Sequence, residues 1–331
     1  MGSEARNRSF ITLRLKTATS LLSQHEAPGI PSREEDSAMR QVAVKCQVCG
    51  SSDERQFRDL GEYRVAQCLD CGHLYINPRP DPDGLIQLYE QARMYFRDEY
   101  EPLGLELPVL HGVLRSLKRF VPSGRLLEVG CGRGELLELA QQHGYQVDGC
   151  DLQRSPALPP HLPVYLGPLR DIHFAKETFD CIVMRNVVEH LFDPGDELQV
   201  CHRLLKPGGW IYIKVPSGDY HYGLKWVLTQ KPHVFNPPWH LNYFNEQGLS
   251  RFLGRNNFRV VSWLVEQPTE DKRFLRNLAR RGGYLLFESM RRLTRGAYFP
   301  KPLLTCVARK QPQLLAPPLR ISTAIENRVA R

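Results

Sequence analysis

Two constellations in this chain combine residue types and spacing that could do chemistry. The first is Gly130-Cys131-Gly132-Arg133-Gly134, between the apolar run Arg125–Val129 and the helix-like Glu135-Leu136-Leu137. A buried strand that turns on glycines into a helix lets a ligand approach bare backbone at the carboxyl end of the strand. Asp151 follows Gly134 by seventeen residues and ends the next apolar run, where a carboxylate can accept hydrogen bonds from both ribose hydroxyls of an adenosine. The second is Cys46-x-x-Cys49 with Cys68-x-x-Cys71, eighteen residues between the pairs and a glycine (Gly50, Gly72) after each. Four thiolates at this spacing close a tetrahedral site with no open position, which reads as structural Zn2+. Two disulfides or four free thiols are the alternatives.

These residues need elements to position them. Short apolar runs alternate with amphipathic stretches, the rhythm of a parallel sheet covered by helices. Strands are expected at Arg125–Val129, Gln146–Cys150, Val164–Leu166, Phe179–Met184, Trp210–Val215, Arg259–Val265 and Leu303–Ala308. The expected organisation is a poorly ordered tail over 1–43, a zinc ribbon over 44–80, a helical connector over 81–119, an α/β domain over 120–311 and a second tail over 312–331. The connector shows helical spacing at Leu85, Leu88, Tyr89 and again at Leu110, Val113, Leu114, Leu117. Within the domain, 270–296 reads as a helical insertion with seven arginines among its apolar positions. It is either an amphipathic pair with a solvated basic face or a surface for an anionic substrate or a membrane.

A lone Gly-x-Gly-x-Gly is a weak signal, because a tight turn in any α/β protein can produce it. Its context is stronger: Glu128 inside the strand, Asp151 after it, and Lys206-Pro207-Gly208-Gly209 before the fifth strand. Nicotinamide-binding loops prefer Gly-x-Gly-x-x-Gly, and the third glycine here comes one residue early. Taken together, Leu127 to Gly134, Phe179-Asp180-Cys181-Ile182-Val183, Val188-Glu189-His190-Leu191 and Leu204 to Gly209 resemble, in order and spacing, the motifs of class I methyltransferases. The resemblance covers about 120 to 265. It implies a Rossmann-like, doubly wound seven-stranded sheet and S-adenosyl-L-methionine as cofactor. Glu128, Gly130, Cys131, Gly132 and Gly134 would then lie near the methionine end and Asp151 on the ribose. The adenine falls near Leu152 and the loop Pro168–Asp171, and Asn186 joins the cofactor set from the end of strand four.

The longer string from Cys46 through Cys68-x-x-Cys71-Gly72-His73-Leu74-Tyr75-Ile76-Asn77-Pro78-Arg79-Pro80 to Leu88-Tyr89 resembles the N-terminal zinc module of sugar- and glycan-modifying methyltransferases, including the deoxysugar C-methyltransferases. Methyl transfer from a sulfonium is an in-line displacement, so the protein mainly aligns the reactants and removes a proton where the acceptor requires it. Groups for that purpose should follow strands four and five: Asn186, Glu189 and His190 after the former; His221, Trp239, His240 and Tyr243 after the latter. Pro238 to Phe244 resembles the aromatic segment of the deoxysugar enzymes with the base retained as His240, but Trp239 stands where their Glu would be. That departure favours oxygen over carbon as the methyl acceptor. His190 and Tyr243 complete the catalytic candidates. Asn236-Pro237-Pro238-Trp239 imitates the box of amine-methylating enzymes, yet follows strand five rather than strand four.

At 331 residues with 42% hydrophobic content, the chain can bury one sizeable core and carry a small module beside it. It has no run of roughly 18–20 apolar residues, no secretory signal core, and Arg6 where a myristoylation motif wants Ser or Thr, so a cytoplasmic location is expected. The net charge of +8 favours anionic partners. The expected acceptor is a small molecule, sugar, glycan or lipid-linked intermediate. The rival readings are an RNA methyltransferase, to which a zinc ribbon and basic segment would be suited, and a cofactor-binding scaffold without catalysis.

Overall fold

In the computed structural model the described residues are 39–92, 107–219, 237–264 and 302–313, together with positions 289 and 293. The N-terminal part runs β1 (Gln41–Val42), β2 (Glu54–Asp59), β3 (Arg64–Cys68), β4 (Leu74–Ile76), β5 (Arg79–Pro80), α1 (Pro82–Ala92) and α2 (Leu107–Lys118). Then come β6 (Gly124–Val129), α3 (Glu135–Gln142), β7 (Tyr145–Asp151), β8 (Val164–Leu166), β9 (Phe179–Arg185), α4 (Pro194–Leu204), β10 (Leu205–Pro216), β11 (Asn242–Tyr243), α5 (Glu246–Arg255), β12 (Phe258–Leu264) and β13 (Leu303–Lys310).

Seven strands form one sheet in the order β12-β13-β10-β9-β6-β7-β8. The run β10-β9-β6-β7-β8 is parallel, and β13 is antiparallel to both β10 and β12. This is the Rossmann-like sheet of the class I methyltransferase fold. At one edge of the parallel run, β13 inserts between β10 and β12 and runs against both. Leu126 and Leu127 of β6 and Cys181 to Met184 of β9 are fully buried, as central strands covered on both faces must be. Strand order reverses between β6 and β9, so a crevice opens beyond their carboxyl ends.

Local chemistry fixes the helices. Leu110, Val113, Leu114 and Leu117 recur at helical spacing on α2 and are all buried, worth roughly 1.5–3 kcal/mol each. Asp193 caps α4 by accepting from the Gly195 and Asp196 N–H groups at 3.0 and 3.1 Å, with Pro194 in the first turn. Asn245 caps α5 through the Gly248 N–H at 2.7 Å.

The cysteine module is a four-stranded antiparallel sheet ordered β11-β4-β3-β2, so its fourth strand comes from beyond β10. Its core is continuous with that of the large sheet: Cys46, Val48, Ala66, Cys68 and Tyr75 pack in one cluster with Phe244, Leu249 and Phe252. At its N-terminal edge, β1 pairs with β5, so residues 41–42, expected within a tail, are ordered. The 270–296 insertion lies outside the described residues except for Ser289 and Leu293, the latter 83% exposed. His221 and Asn236 also lie outside them, as do 1–38 and 314–331.

Candidate cofactor pocket, catalytic cluster and cysteine site

A cavity of about 320 Å³ opens at the carboxyl edge of β6, β7, β8 and β9. Its floor is the glycine turn. Gly130 sits at φ 70° and a Cβ there would lie 2.5 Å from Val187 Cγ2. Gly132 sits at φ 53° with nothing within 4 Å of its Cβ position, so its bare backbone faces open space. The Gly130 and Cys131 N–H groups donate to the Cys150 carbonyl at 2.8 and 3.2 Å, which ties the turn to the end of β7.

Asp151 lines the cavity at that end. Its Oδ2 accepts from the Gly132 N–H at 2.8 Å and its Oδ1 from the Gln153 N–H at 3.3 Å. Burial raises its pKa, and these backbone hydrogen bonds only partly offset the shift. Of the cofactor candidates, Gly130, Gly132, Asp151, Leu152 and Asn186 line the cavity. Glu128, Cys131 and Gly134 stand behind its wall. Glu128 is buried 4.0 Å from Arg185 Nη1, Cys131 packs into the α2–α3 core, and Gly134 opens α3 under Leu158 and Leu162. Asn186 adopts φ 53°, unusual without glycine, with its N–H donating to the Lys214 carbonyl at 2.8 Å.

The pattern of the sequence did not reveal that α1 covers this cavity. Pro82, Leu85, Ile86 and Tyr89 form one wall, and the Gln153 side-chain amide donates to the Tyr89 carbonyl at 3.0 Å. The spacing of Leu85 and Tyr89 announced an amphipathic helix but not what lies beneath it. Gln153, Arg185 and Phe192 were likewise unforeseen lining residues.

The catalytic candidates part company. After β9 a 3₁₀ turn, Val188–His190, places His190 on the cavity wall. His190 Nδ1–H donates to the Trp239 carbonyl at 2.7 Å, and the His190 and His240 ring centroids are 4.9 Å apart. Tyr89 meets both His190 and Trp239 edge-on, at 6.4 and 5.3 Å. Glu189 is 2% exposed, with Oε1 3.7 Å from His190 Nε2. Burial pushes the Glu189 carboxyl up to about 8 and pulls His190 down to about 4. His240 stands beside His190, though it is not among the cavity-lining residues. Tyr243 lies elsewhere: it is buried on β11 in an apolar cluster with Tyr63, Val65 and Ile76.

Arg79 is fully buried and joins the cysteine module to this wall. Its guanidinium donates to the carbonyls of Ile76 at 3.1 Å and Phe192 at 2.9 Å and to Asn242 Oδ1 at 3.4 Å. Burial lowers its pKa to about 10. Asn242 Nδ2 in turn donates to the Leu191 carbonyl at 3.0 Å.

In the cysteine module, Cys46 and Cys71 Sγ are 3.5 Å apart, Cys49 and Cys68 Sγ 3.4 Å, and all four Sγ atoms lie within 4.8 Å of one another. These are thiols, not disulfides. Zinc–sulfur bonds of about 2.3 Å would set the sulfurs about 3.8 Å apart, so the donor set fits one tetrahedral ion. The Gly50 and Gly72 N–H groups donate back to the Cys46 and Cys68 carbonyls at 2.7 and 3.0 Å, curling each pair around its thiols.

Residues 104–263 match the family model described as a methyltransferase domain. The ubiquinone biosynthesis O-methyltransferase of Paracidovorax citrulli is 30% identical over 146 residues, covering 40% of this chain and 61% of that protein. The Klebsiella pneumoniae (strain 342) protein of the same name is 30% identical over 141 residues, 40% of this chain and 57% of its own length. The chain thus spans about three fifths of the length of these curated relatives. Among solved structures, an S-adenosylmethionine dependent methyltransferase from Mesorhizobium loti aligns over 62% of this chain and all of its own, at 19% identity and a TM-score of 0.46. Residues 104–263 thus match the methyltransferase-domain model, and their strand order and glycine turn are those of the class I methyltransferase fold.

Proposed function

We propose that the protein transfers a methyl group from S-adenosylmethionine to a hydroxyl oxygen of a small-molecule acceptor, with structural zinc held by Cys46, Cys49, Cys68 and Cys71. The observation that carries this reading is one cavity with two kinds of wall. On one side are Asp151 and the bare Gly132 backbone; on the other is His190, backed by Glu189 and His240. When bound, the cofactor supplies an electrophilic methyl on a positively charged sulfur. Asp151 accepts the ribose hydroxyls, Leu152 and Gly167–Leu169 flank the adenine, and Leu85, Ile86 and Tyr89 exclude water from above. The Glu189–His190–His240 cluster receives the acceptor hydroxyl and takes charge of its proton.

The named O-methyltransferase relatives support oxygen as the acceptor atom. A sugar, glycan or lipid-linked acceptor is the finer reading, supported by the cysteine-module motif. The test is incubation of the pure protein with methyl-labelled cofactor and cell extract, followed by fractionation. Label in a small-molecule or lipid fraction is the expected result. Label in RNA would replace the acceptor class, and cofactor binding without label in any fraction would reduce the protein to a scaffold.

A further inference from the structure

We propose that Glu189, His190 and His240 bind a divalent cation at the wall of the cofactor cavity, a second metal site separate from the four cysteines. The role given to this ion rests on the methyl transfer proposed above; its binding does not. One ligand atom from each of the three residues lies within 4.8 Å of the others. Glu189 is almost completely buried, and neither carboxylate oxygen has a hydrogen-bond partner among the described residues. Its own backbone N–H and, over a distance, Lys214 favour the ionised form but do not outweigh burial. A carboxylate left so is costly to bury, by about 1–3 kcal/mol or more, unless something else satisfies it.

The tautomer of His190 says what that is. A carbonyl oxygen can only accept, so the 2.7 Å contact with Trp239 fixes the proton on Nδ1. Nε2 therefore presents a lone pair, and it points to Glu189 Oε1 at 3.7 Å. A buried carboxyl and an imidazole lone pair facing each other at 3.7 Å make no hydrogen bond, whereas a cation between them, displacing the carboxyl proton, binds both. Metal bonds of about 2.0–2.2 Å place neighbouring ligand atoms about 3–3.5 Å apart, so the Glu189–His190 pair at 3.7 Å is close to ligating distance and the cluster, within 4.8 Å, closes around the ion. A ligating imidazole usually donates its other N–H to a carbonyl or carboxylate, as His190 does. Two imidazoles and one carboxylate suit Mn2+, Fe2+, Co2+ or Zn2+ better than Ca2+, and three protein ligands leave positions open.

Because His190 lines the cavity, a cation it holds borders that cavity. The acceptor hydroxyl binds there, the cation lowers its pKa and the proton passes to solvent. The resulting oxygen anion forms the new O–C bond as the C–S bond breaks, and the sulfonium becomes a neutral thioether.

The experiment is Mn2+ binding to the zinc-replete full chain, followed by the paramagnetic resonance of free Mn2+, in the wild type, Glu189→Gln and His240→Ala. Mn2+ competes poorly for four thiolates, so the cysteine site stays zinc-loaded. One Mn2+ per chain is expected in the wild type, with binding at least about tenfold weaker in each variant at unchanged zinc content and melting temperature. No Mn2+ binding to the wild type, or equal binding by folded variants, overturns the inference. If Glu189→Gln does not fold, His240→Ala decides alone, since His240 is only partly buried. Mn2+ binding without methylation of any fraction would leave the cation site standing and refute the transfer. Full methylation with no Mn2+ site would do the reverse.

Discussion

Replacing Asp151 with Asn separates a residue's service to a ligand from its service to the fold. In the protein the carboxylate is largely buried, and that burial raises its pKa despite two backbone hydrogen bonds. An acid raised in this way favours folding fully only below its unfolded pKa, and the advantage is lost as pH rises through the folded value. At neutral pH the ionised group is therefore a burden on the apo-protein. Asn keeps one carbonyl oxygen, enough for the 2.8 Å bond from Gly132, and removes the charge. The expected melting temperature of Asp151→Asn without ligand is equal to or above that of the wild type. The cofactor responds oppositely. Two ribose hydroxyls then meet a single neutral acceptor, losing at least one charge-assisted hydrogen bond of about 1.5–3 kcal/mol, or about 10- to 150-fold in affinity. Calorimetric titration with S-adenosylhomocysteine measures the second effect and a thermal melt the first. An affinity within threefold of wild type would refute the ribose assignment. Weaker binding accompanied by a melting point several degrees lower would instead make Asp151 a structural residue.

Three further expectations concern stability. With zinc held as proposed, Cys46→Ser should lower bound zinc from one per chain to a small fraction and reduce the melting temperature, since the ion ties the two Cys-x-x-Cys turns together; metal analysis after dialysis checks this. Arg79→Met removes the donors to Phe192, Ile76 and Asn242 and should cost about 2–4 kcal/mol in urea unfolding, because buried acceptors lose their partners. Asp180 gives a pH signature. Burial alone would raise its pKa, but Lys206 at 2.8–2.9 Å and the Arg125 N–H at 2.8 Å outweigh burial and hold it below the usual range. Its stabilisation is present above the unfolded value of about 3.9 and is lost as pH falls through the folded one. The pair is half exposed, so Asp180→Asn should cost about 0.5–1 kcal/mol at pH 7. Urea melts should show that gap closing below about pH 4; a gap independent of pH would contradict the pairing.

The strands were legible because central parallel strands are continuous apolar runs bounded by turns. Val164–Leu166 matches residue for residue, and the other six differ mainly at their ends. That the glycine turn and Asp151 would meet at the edge of the sheet was legible because a strand, a turn and a helix in succession fix where the turn lies. Long-range pairing was not. Nothing local to Asn242-Tyr243 says that it adds a strand to a sheet begun near residue 54, which is why nearness in sequence to His240 made Tyr243 a candidate. Likewise the apolar face of Leu85 and Tyr89 reports that α1 is covered or covers something, but not that it roofs a cavity. The antiparallel edge at β13 depends on insertion between two strands already made, which no window of sequence contains.

The borrowed strand β11 bears on how such a chain can change. A module whose ladder is closed by residues 242–243 cannot be shed or exchanged at a boundary near residue 120. Cutting there would strip Leu85 and Tyr89 from the cavity and expose the unpaired edge of β11 just past His240. Removing the cysteine module would therefore take lining residues of the cavity and the partner strand of β11 away together.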